Sequence, residues 1–241
     1  DMTTEGTLKA LDILNESDAR FSSYGLVRYM GCSIFEGGCP RLLEKLRVLL
    51  PRLFLHGYSP NLEQSDRRLI DWVLWSPSLI ELLHAAGADL NPDTPHYQRY
   101  PLHCSALREG LPSLLKLLEL GADPTGNCMG DGTLLHRLTY EGYSFTAQQW
   151  EQIFRSLRPR LSPEFVNARG YHGKTALISA VDPTFEEPRR PEQVQMPLLK
   201  FLLSSGADVQ LKDEAGKTAL DYAQAAGLTE VVELLKKYGA R

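Results

Sequence analysis

Two histidines are the residues of this chain that first suggest chemistry. His103 and His136 each directly follow a leucine, in the similar stretches "PLHC" and "LLHR". An imidazole can act as a general base or bind a metal ion near neutral pH. Either role needs further polar residues at a suitable spacing, and no His-Glu-x-x-His motif includes either histidine. The sequence therefore predicts no catalytic residue and no metal ligand at these positions.

The other polar motifs also lack a catalytic pattern. The chain contains no Walker A sequence, no Gly-x-Gly-x-x-Gly and no Gly-x-Ser-x-Gly. "GDGT" at 130–133 is typical of a turn, and "FEEPRRPEQ" at 185–193 is typical of a solvated, proline-rich connection. We therefore expect no enzyme activity and no cofactor.

The four cysteines show no metal-binding or disulfide framework. They include no Cys-x-x-Cys pair, and they are Cys32, Cys39, Cys104 and Cys128. Thiols without such a framework indicate a reducing compartment, so we expect a cytoplasmic protein.

Composition excludes several classes of protein. The 241 residues are 43% hydrophobic and 23% charged, with a net charge of −4, which is ordinary for a folded protein and lacks the basic excess of a nucleic-acid binder. No apolar stretch is long enough to predict a membrane span. Residues 1–20 lack the basic and apolar regions of a signal peptide. We expect no nucleic-acid partner and no membrane partner.

The elements that would position any site are repeated along the chain. Gly-Ala-Asp occurs at Gly87, Gly121 and Gly206, and Gly-Ala returns at Gly239. Each follows a leucine-rich amphipathic run such as "SLLKLLELGAD", and a shorter helical start such as "GKTALDYAQ" precedes each run. The interval from Gly87 to Gly121 nearly equals that from Gly206 to Gly239. A recurring period of this length indicates a repeat architecture.

The pattern resembles the ankyrin repeat, whose signature is Thr-Pro-Leu-His-x-Ala in a period of about 33 residues. The resemblance extends from about Tyr24 to the C-terminus and is strongest in the last two-thirds of the chain. It implies an all-α fold, an ankyrin-repeat solenoid of helix-turn-helix units with β-hairpin-like fingers and divergent N-terminal units. His103 and His136 occupy the histidine of the signature, which in this family is structural and bonds backbone of a neighbouring repeat.

The recurring residue types have local physical reasons. A threonine at a helix start can cap the first turn, which we expect of Thr133, Thr175 and Thr218. A glycine after a helix favours the left-handed C-cap, which we expect of the glycine that opens each Gly-Ala pair. A leucine stands two residues after each of these threonines, and Leu102 stands two residues after Tyr100, which replaces the threonine. We expect all four leucines to point into the core, and they are Leu102, Leu135, Leu177 and Leu220.

The resemblance divides the chain into an N-terminal capping segment, 1–20, and an ankyrin-repeat array, 21–241. The array has about five to six repeats, 21–59, 60–92, 93–126, 127–167, 168–208 and 209–241. The intervals from Thr133 to Thr175 and from Thr175 to Thr218 each exceed the family's period by about ten residues. In the second repeat the extra residues fall between its helices, in "VDPTFEEPRRPEQVQMP"; in the first they lie around "EGYSFTAQQW" and "RSLRPRLSPEF". Neutral drift and a specific contact both remain open for these loops.

In the ankyrin family, partners usually contact the finger tips and the exposed positions of each first helix. Transferred by phase, this implies a partner-binding set of tyrosines, histidines, a methionine and basic residues, which are His96, Tyr97, Arg99, Arg108, Met129, Arg137, Tyr140, Arg169, Tyr171, His172 and Lys174. Tyrosine, arginine and methionine are enriched at protein interfaces. Basic tips on an acidic chain favour a partner with an acidic or mixed-charge surface.

The resemblance therefore implies a non-enzymatic protein that is monomeric when free and binds another protein through its concave face. Examples are a bacterial immunity protein or an inhibitor. The alternative is a targeting or substrate-docking ankyrin module of a larger protein, such as a secreted bacterial effector enzyme or a eukaryotic scaffold. A third hypothesis makes the array a substrate, because Asn91 matches the finger asparagine that an asparaginyl hydroxylase modifies in some ankyrin proteins; a turn-forming role is the alternative for that residue.

Overall fold

The structure is a computed structural model, and it describes residues 40–55, 57–61, 63–64, 67–91, 101–102, 110–126, 132–139, 145–182 and 194–241. In these ranges the protein is mostly helical, in agreement with the all-α prediction. The α-helices are α1 (Pro40–Leu55), α2 (Leu69–Val73), α3 (Pro77–Ala85), α4 (Leu111–Glu119), α5 (Leu134–Arg137), α6 (Ala147–Leu157), α7 (Pro163–Val166), α8 (Ala176–Val181), α9 (Met196–Ser204), α10 (Ala219–Ala225) and α11 (Thr229–Lys237). Short 3-10 turns cover Arg158–Arg160 and Tyr171–Gly173.

The described residues from Pro40 to Leu90 belong to one compact unit, which we call the first unit. Within it, α1 and α2 both contact α3. The backbone of β1 (Glu63–Gln64) pairs with that of β2 (Arg67–Arg68) as a short antiparallel ribbon before α2. The core face of α1 is a row of leucines at spacings of three and four residues, Leu46, Leu49, Leu50 and Leu53.

Residues 91–241 form the second unit, in which helices of similar length contact one another in series. The short helices α5 and α8 are in contact, and so are α8 and α10. The longer helices α4 and α6 are in contact, and so are α6 and α9. These helices therefore pack against the equivalent helix of the adjacent pair.

Aromatic packing joins two of the longer helices. Trp150 and Phe154 of α6 have ring centroids 5.3 Å apart, and Phe154 lies parallel to Phe201 of α9 at 4.1 Å. Large aromatic side chains bury much apolar area, so this stack is a major contact between α6 and α9.

The helix starts follow the predicted threonine capping. Thr175 and Thr218 each accept a hydrogen bond from the backbone N–H three residues later, at 3.3 Å and 3.2 Å. At the start of α5, Thr133 and His136 form a capping box, in which the N–H of Thr133 donates to Nδ1 of His136 at 3.1 Å. The hydroxyl of Thr133 lies 3.1 Å from the same nitrogen. The histidine that follows the leucine therefore caps α5 itself.

The helix ends confirm the glycine prediction. All four glycines of the Gly-Ala pairs have a φ near +90°, and they are Gly87, Gly121, Gly206 and Gly239. The alanine after each glycine donates its N–H to a carbonyl five residues earlier, as Ala207 does to Leu202 at 3.1 Å. This is the Schellman arrangement, and a left-handed backbone favours glycine because glycine has no Cβ.

One further prediction is confirmed in the described residues. The leucines expected to point into the core, Leu102, Leu135, Leu177 and Leu220, are all buried. α8 ends at Val181 and α9 begins at Met196; most of the extra residues expected in the segment 168–208 fall on residues 183–193, which lie outside the described part of the chain. In the segment 127–167, the stretch after α6 forms the 3-10 turn and α7.

Candidate functional site

The best-defined candidate site consists of two neighbouring hairpins of the second unit. We call residues 169–175 the first tip and residues 211–217 the second tip. In the first tip, Arg169 and Thr175 form an antiparallel bridge. The N–H of Lys174 donates to the carbonyl of Tyr171 at 3.2 Å, and His172 and Gly173 between them have φ values of 55° and 68°. Two successive positive φ angles are the mark of a type I′ turn, which gives a tight hairpin.

An aspartate closes the second tip. Oδ1 of Asp213 accepts from the N–H of Ala215 at 2.9 Å and from that of Lys217 at 3.0 Å. Gly216 supplies the positive φ, 74°, that the turn needs. Burial alone would raise the pKa of Asp213, but hydrogen bonds from Tyr222 and from these N–H groups hold the pKa below its usual value. The carboxylate therefore stays ionised as a structural acceptor.

Direct bonds hold the two tips together. The N–H of Glu214 donates to the carbonyl of His172 at 3.1 Å. Nη1 of Arg169 donates to the carbonyl of Lys212 at 2.7 Å and to that of Gly173 at 2.6 Å. Nδ1 of His172 also lies 3.7 Å from a carboxylate oxygen of Glu214. The tips consequently form one braced surface.

Exposed aromatic and charged groups lie on this braced surface. Tyr171 is 44% exposed, and its ring centroid is 3.9 Å from that of His172 at an interplanar angle of 62°. The side chains of Lys212, Glu214 and Lys217 are exposed as well. A tyrosine flanked by charges of both signs can contribute apolar contact and hydrogen bonds to a protein partner.

Lys174, predicted as a partner contact, is buried instead. Its Nζ lies 3.0 Å from Oδ2 of Asp182 and 5.2 Å from the ring centroid of Tyr222. The Tyr222 hydroxyl donates to Oδ2 of Asp213 at 2.6 Å. Burial, together with this bond, raises the pKa of Tyr222. The type I′ turn reverses the chain at Gly173, which carries Lys174 beneath the tip, where its charge is paired internally.

His136 has the structural role that the family resemblance implies. It is buried, and its Nε2 lies 3.1 Å from the carbonyl of Lys174, 38 residues later. Nδ1 accepts from Thr133, so Nε2 carries the proton and donates to that carbonyl. Burial lowers the pKa of His136 to about 4. The ring is therefore neutral at physiological pH and connects the start of α5 to the first tip.

The predicted binding residues differ in exposure, and some of them lie outside the described residues. Arg169, Tyr171 and His172 are exposed on the first tip, whereas Arg137 is half-buried on α5. The described residues do not include the remaining members, which are His96, Tyr97, Arg99, Arg108, Met129 and Tyr140. Of the predicted set, the structure brings Arg169, Tyr171, His172 and Lys174 together in one hairpin.

Sequence reasoning missed a set of side-chain amides that connect distant segments. Asn61 accepts from the N–H of Asp89 at 2.7 Å, and Asn91 accepts from that of Asp123 at the same distance. Gln210 donates to the carbonyl of Gly239 at 2.8 Å. The sequence does contain a signal that could have identified these amides. Each of them stands four residues after a C-cap glycine, as Asn91 does after Gly87.

The residues described here contain no cluster of histidine, cysteine or acidic side chains that could hold a metal ion. No helix within the described ranges is both long enough and apolar enough to cross a bilayer. No family model matches the chain.

Proposed function

We propose that this protein is an ankyrin-repeat array that binds another protein. Three recurring features support the ankyrin assignment. They are the Schellman glycine after α3, α4, α9 and α11, the side-chain amides that bond to the backbone of the next Gly-Ala-Asp segment along the chain, and the serial contacts between helices of similar length. Single repeats cannot bury their apolar faces alone, so such contacts are expected of a repeat protein.

The braced surface of the two tips is the observation that carries the binding proposal. Backbone and Arg169 bonds fix the tips before any partner arrives, so binding would lose little conformational entropy there. Tyr171 and His172 then act as contact residues, with Lys212 and Lys217 beside them. Lys174 is not a contact residue in this proposal, because its ammonium group is buried and paired with Asp182. We propose a cytoplasmic, non-enzymatic binding protein, for which an inhibitor or immunity protein is one example.

A capture experiment with a matched tyrosine control tests the proposal. Tyr171 and Tyr238 are each 44% exposed, but Tyr238 lies at the end of α11 and outside the tips. Immobilised wild-type protein, Tyr171→Ala and Tyr238→Ala are incubated with lysate of the native host, and bound proteins are quantified by mass spectrometry. We expect wild type and Tyr238→Ala to capture the same partner. Tyr171→Ala should capture about tenfold less of it, because a tyrosine that becomes buried at an interface often anchors that interface. Equal capture by all three proteins would remove the tips from the interface.

A further inference from the structure

The guanidinium group of Arg169 is held in place between the two tips. Its Nη1 donates to the carbonyls of Gly173 and Lys212, at 2.6 Å and 2.7 Å. The arginine is nevertheless exposed, and neither its Nε nor its Nη2 has a hydrogen-bond partner among the residues that the structure describes. The N–H groups of Nε and Nη2 form one edge of the guanidinium, which can bind a carboxylate through two parallel hydrogen bonds.

Two lysines of the second tip add positive charge beside this arginine. Lys212 and Lys217 are exposed, and Nζ of Lys217 lies 5.2 Å from the ring centroid of Tyr222. In the part of the chain that the structure describes, no carboxylate is in salt-bridge contact with either lysine or with Arg169. The braced surface therefore carries three cations without an ionic partner in the described residues.

Most carboxylates near these cations already have internal partners. Oδ2 of Asp221 accepts from the N–H and from the hydroxyl of Thr218, at 2.7 Å and 2.8 Å. These bonds, and the more distant charges of the two lysines, hold the pKa of Asp221 below its usual value. Asp213 closes the second tip and Asp182 pairs with a buried lysine. Glu214 is exposed beside the histidine of the first tip, so the charge that lacks an internal partner is mainly positive.

We propose that the partner presents an acidic segment to the braced surface. One carboxylate of this segment accepts from Nε and Nη2 of Arg169, and others lie beside Lys212 and Lys217. An apolar side chain of the partner packs against Tyr171. The inference rests on the proposed binding function and adds the chemistry of the partner. Because two carbonyls already hold Arg169, its binding to a carboxylate loses little side-chain entropy.

A nucleic acid is the other polyanion that these cations could attract. Nucleic-acid binding requires a basic excess, whereas the chain has a net charge of −4 and the tips expose Glu214. A protein segment can place its few carboxylates opposite the cations and a hydrogen-bond donor opposite Glu214. The distribution of charge therefore favours an acidic protein segment.

A peptide titration tests this chemistry directly. The probe is a short fluorescent peptide that alternates glutamate and alanine, and its anisotropy reports binding to the 241-residue chain at low ionic strength. The variant Lys212→Gln/Lys217→Gln removes two exposed charges from the tips, and Lys236→Gln/Lys237→Gln removes two exposed charges from the end of α11 as the matched control. We expect the tip variant to raise the Kd about fivefold and the control to change it less than about twofold, because each exposed charge pair contributes modestly.

Three comparisons could overturn the proposal. The first is a wild-type protein that does not bind the glutamate peptide, or an equal loss of binding in the two double variants. The second is a lysine–alanine peptide of the same length that binds as tightly as the glutamate peptide. The third is oligothymidylate of the same length: we expect it to bind more weakly than the glutamate peptide, and tighter binding would make a nucleic acid the partner.

Nitrogen-15 NMR tests the role of the arginine without altering the tips. The Nε–H resonance of Arg169 is assigned by its absence from the spectrum of Arg169→Lys. We expect this resonance of the wild-type protein to shift as the glutamate peptide is added, because Nε–H donates to the bound carboxylate. A resonance that stays in place while the peptide binds would exclude Arg169 from the site.

The lysate capture separates this inference from the proposed function. We expect capture of the partner to require Tyr171 and also Lys212 and Lys217. If capture requires Tyr171 but Lys212→Gln/Lys217→Gln retains as much partner as wild type, the tips are an interface and the acidic segment is wrong. If capture requires none of the three side chains, the interface and the inference both fail.

Discussion

The side-chain amide of Asn167 holds the backbone of Asp208, 41 residues later in the chain. Its Oδ1 accepts from the N–H of Asp208 at 2.8 Å, and its Nδ2 donates to the carbonyls of Gly206 at 3.3 Å and Pro163 at 3.0 Å. One amide thus connects the end of α7 with the turn after α9. Asn61 makes the same pair of bonds, to Asp89 and to Gly87.

Replacing Asn167 with alanine should weaken the second unit measurably. The change removes every bond of the amide, so we expect a loss of about 1–3 kcal/mol in the free energy of unfolding, measured by urea denaturation. Gln224→Ala, on the exposed side of α10, is the control and should change stability by less than about 0.5 kcal/mol. Equal effects of the two substitutions would show that the amide of Asn167 contributes nothing beyond its side-chain bulk.

Stability should fall in acid because of His136. The pKa of its ring is lowered to about 4 in the folded protein from 6.5, so between these pH values the unfolded chain binds a proton that the folded chain does not. Stability from this residue is therefore fully present above pH 6.5 and is lost as the pH falls toward 4, by up to about 3 kcal/mol.

Urea midpoints at several pH values measure this dependence. His136→Gln should flatten the profile between pH 6.5 and pH 4, whereas Gln224→Ala, an exposed change on α10 that removes no titratable group, should keep the wild-type slope. A wild-type slope in His136→Gln would assign the acid sensitivity to other groups.

Two glycine substitutions should differ in cost. Gly206 has a φ of +89°, and no atom lies within 4 Å of the place that a Cβ would take, so Gly206→Ala meets only backbone strain, about 1 kcal/mol. Gly132 has a φ of +101°, and a Cβ there would lie 2.5 Å from the His136 ring. Gly132→Ala should therefore cost more than Gly206→Ala and should displace the histidine. Thermal unfolding of the two variants side by side makes the comparison, and a smaller cost at Gly132 would contradict the close approach of the ring.

Replacing Ser113 should stabilise the protein. Among the residues that the structure describes, its hydroxyl is a buried group without a hydrogen-bond partner, in the first turn of α4. Alanine removes the unsatisfied group and is the better helix former, so Ser113→Ala should raise the free energy of unfolding by about 0.5–1 kcal/mol. Ser156 of α6 is the comparison, because its hydroxyl donates to the carbonyl of Gln152 at 3.2 Å, and Ser156→Ala should give no such gain. A decrease in stability of Ser113→Ala would mean that the hydroxyl is satisfied in solution.

Much of the local structure could be predicted from residue types alone. Gly206 and Gly239 end helices because a left-handed backbone disfavours any side chain with a Cβ, and Thr175 and Thr218 begin helices because a hydroxyl can accept from the first turn. Buried leucines such as Leu177 follow from helical periodicity. These features depend on interactions within a few residues, and the repetition of the pattern makes each one easier to identify.

The candidate site was less predictable, because exposure and pairing depend on segments far apart in sequence. Arg169 and Lys174 have the same sign of charge within one hairpin, yet Arg169 braces the second tip from the surface and Lys174 is buried against Asp182. The carbonyl that His136 binds is 38 residues away in the chain. The sequence by itself determined where helices begin and end and which side chains form the core, since those are local steric and hydrophobic effects. Only the tertiary structure decided which polar groups meet, because hydrogen bonds and ion pairs between segments far apart in sequence depend on the distance between backbones that the chain brings together by folding.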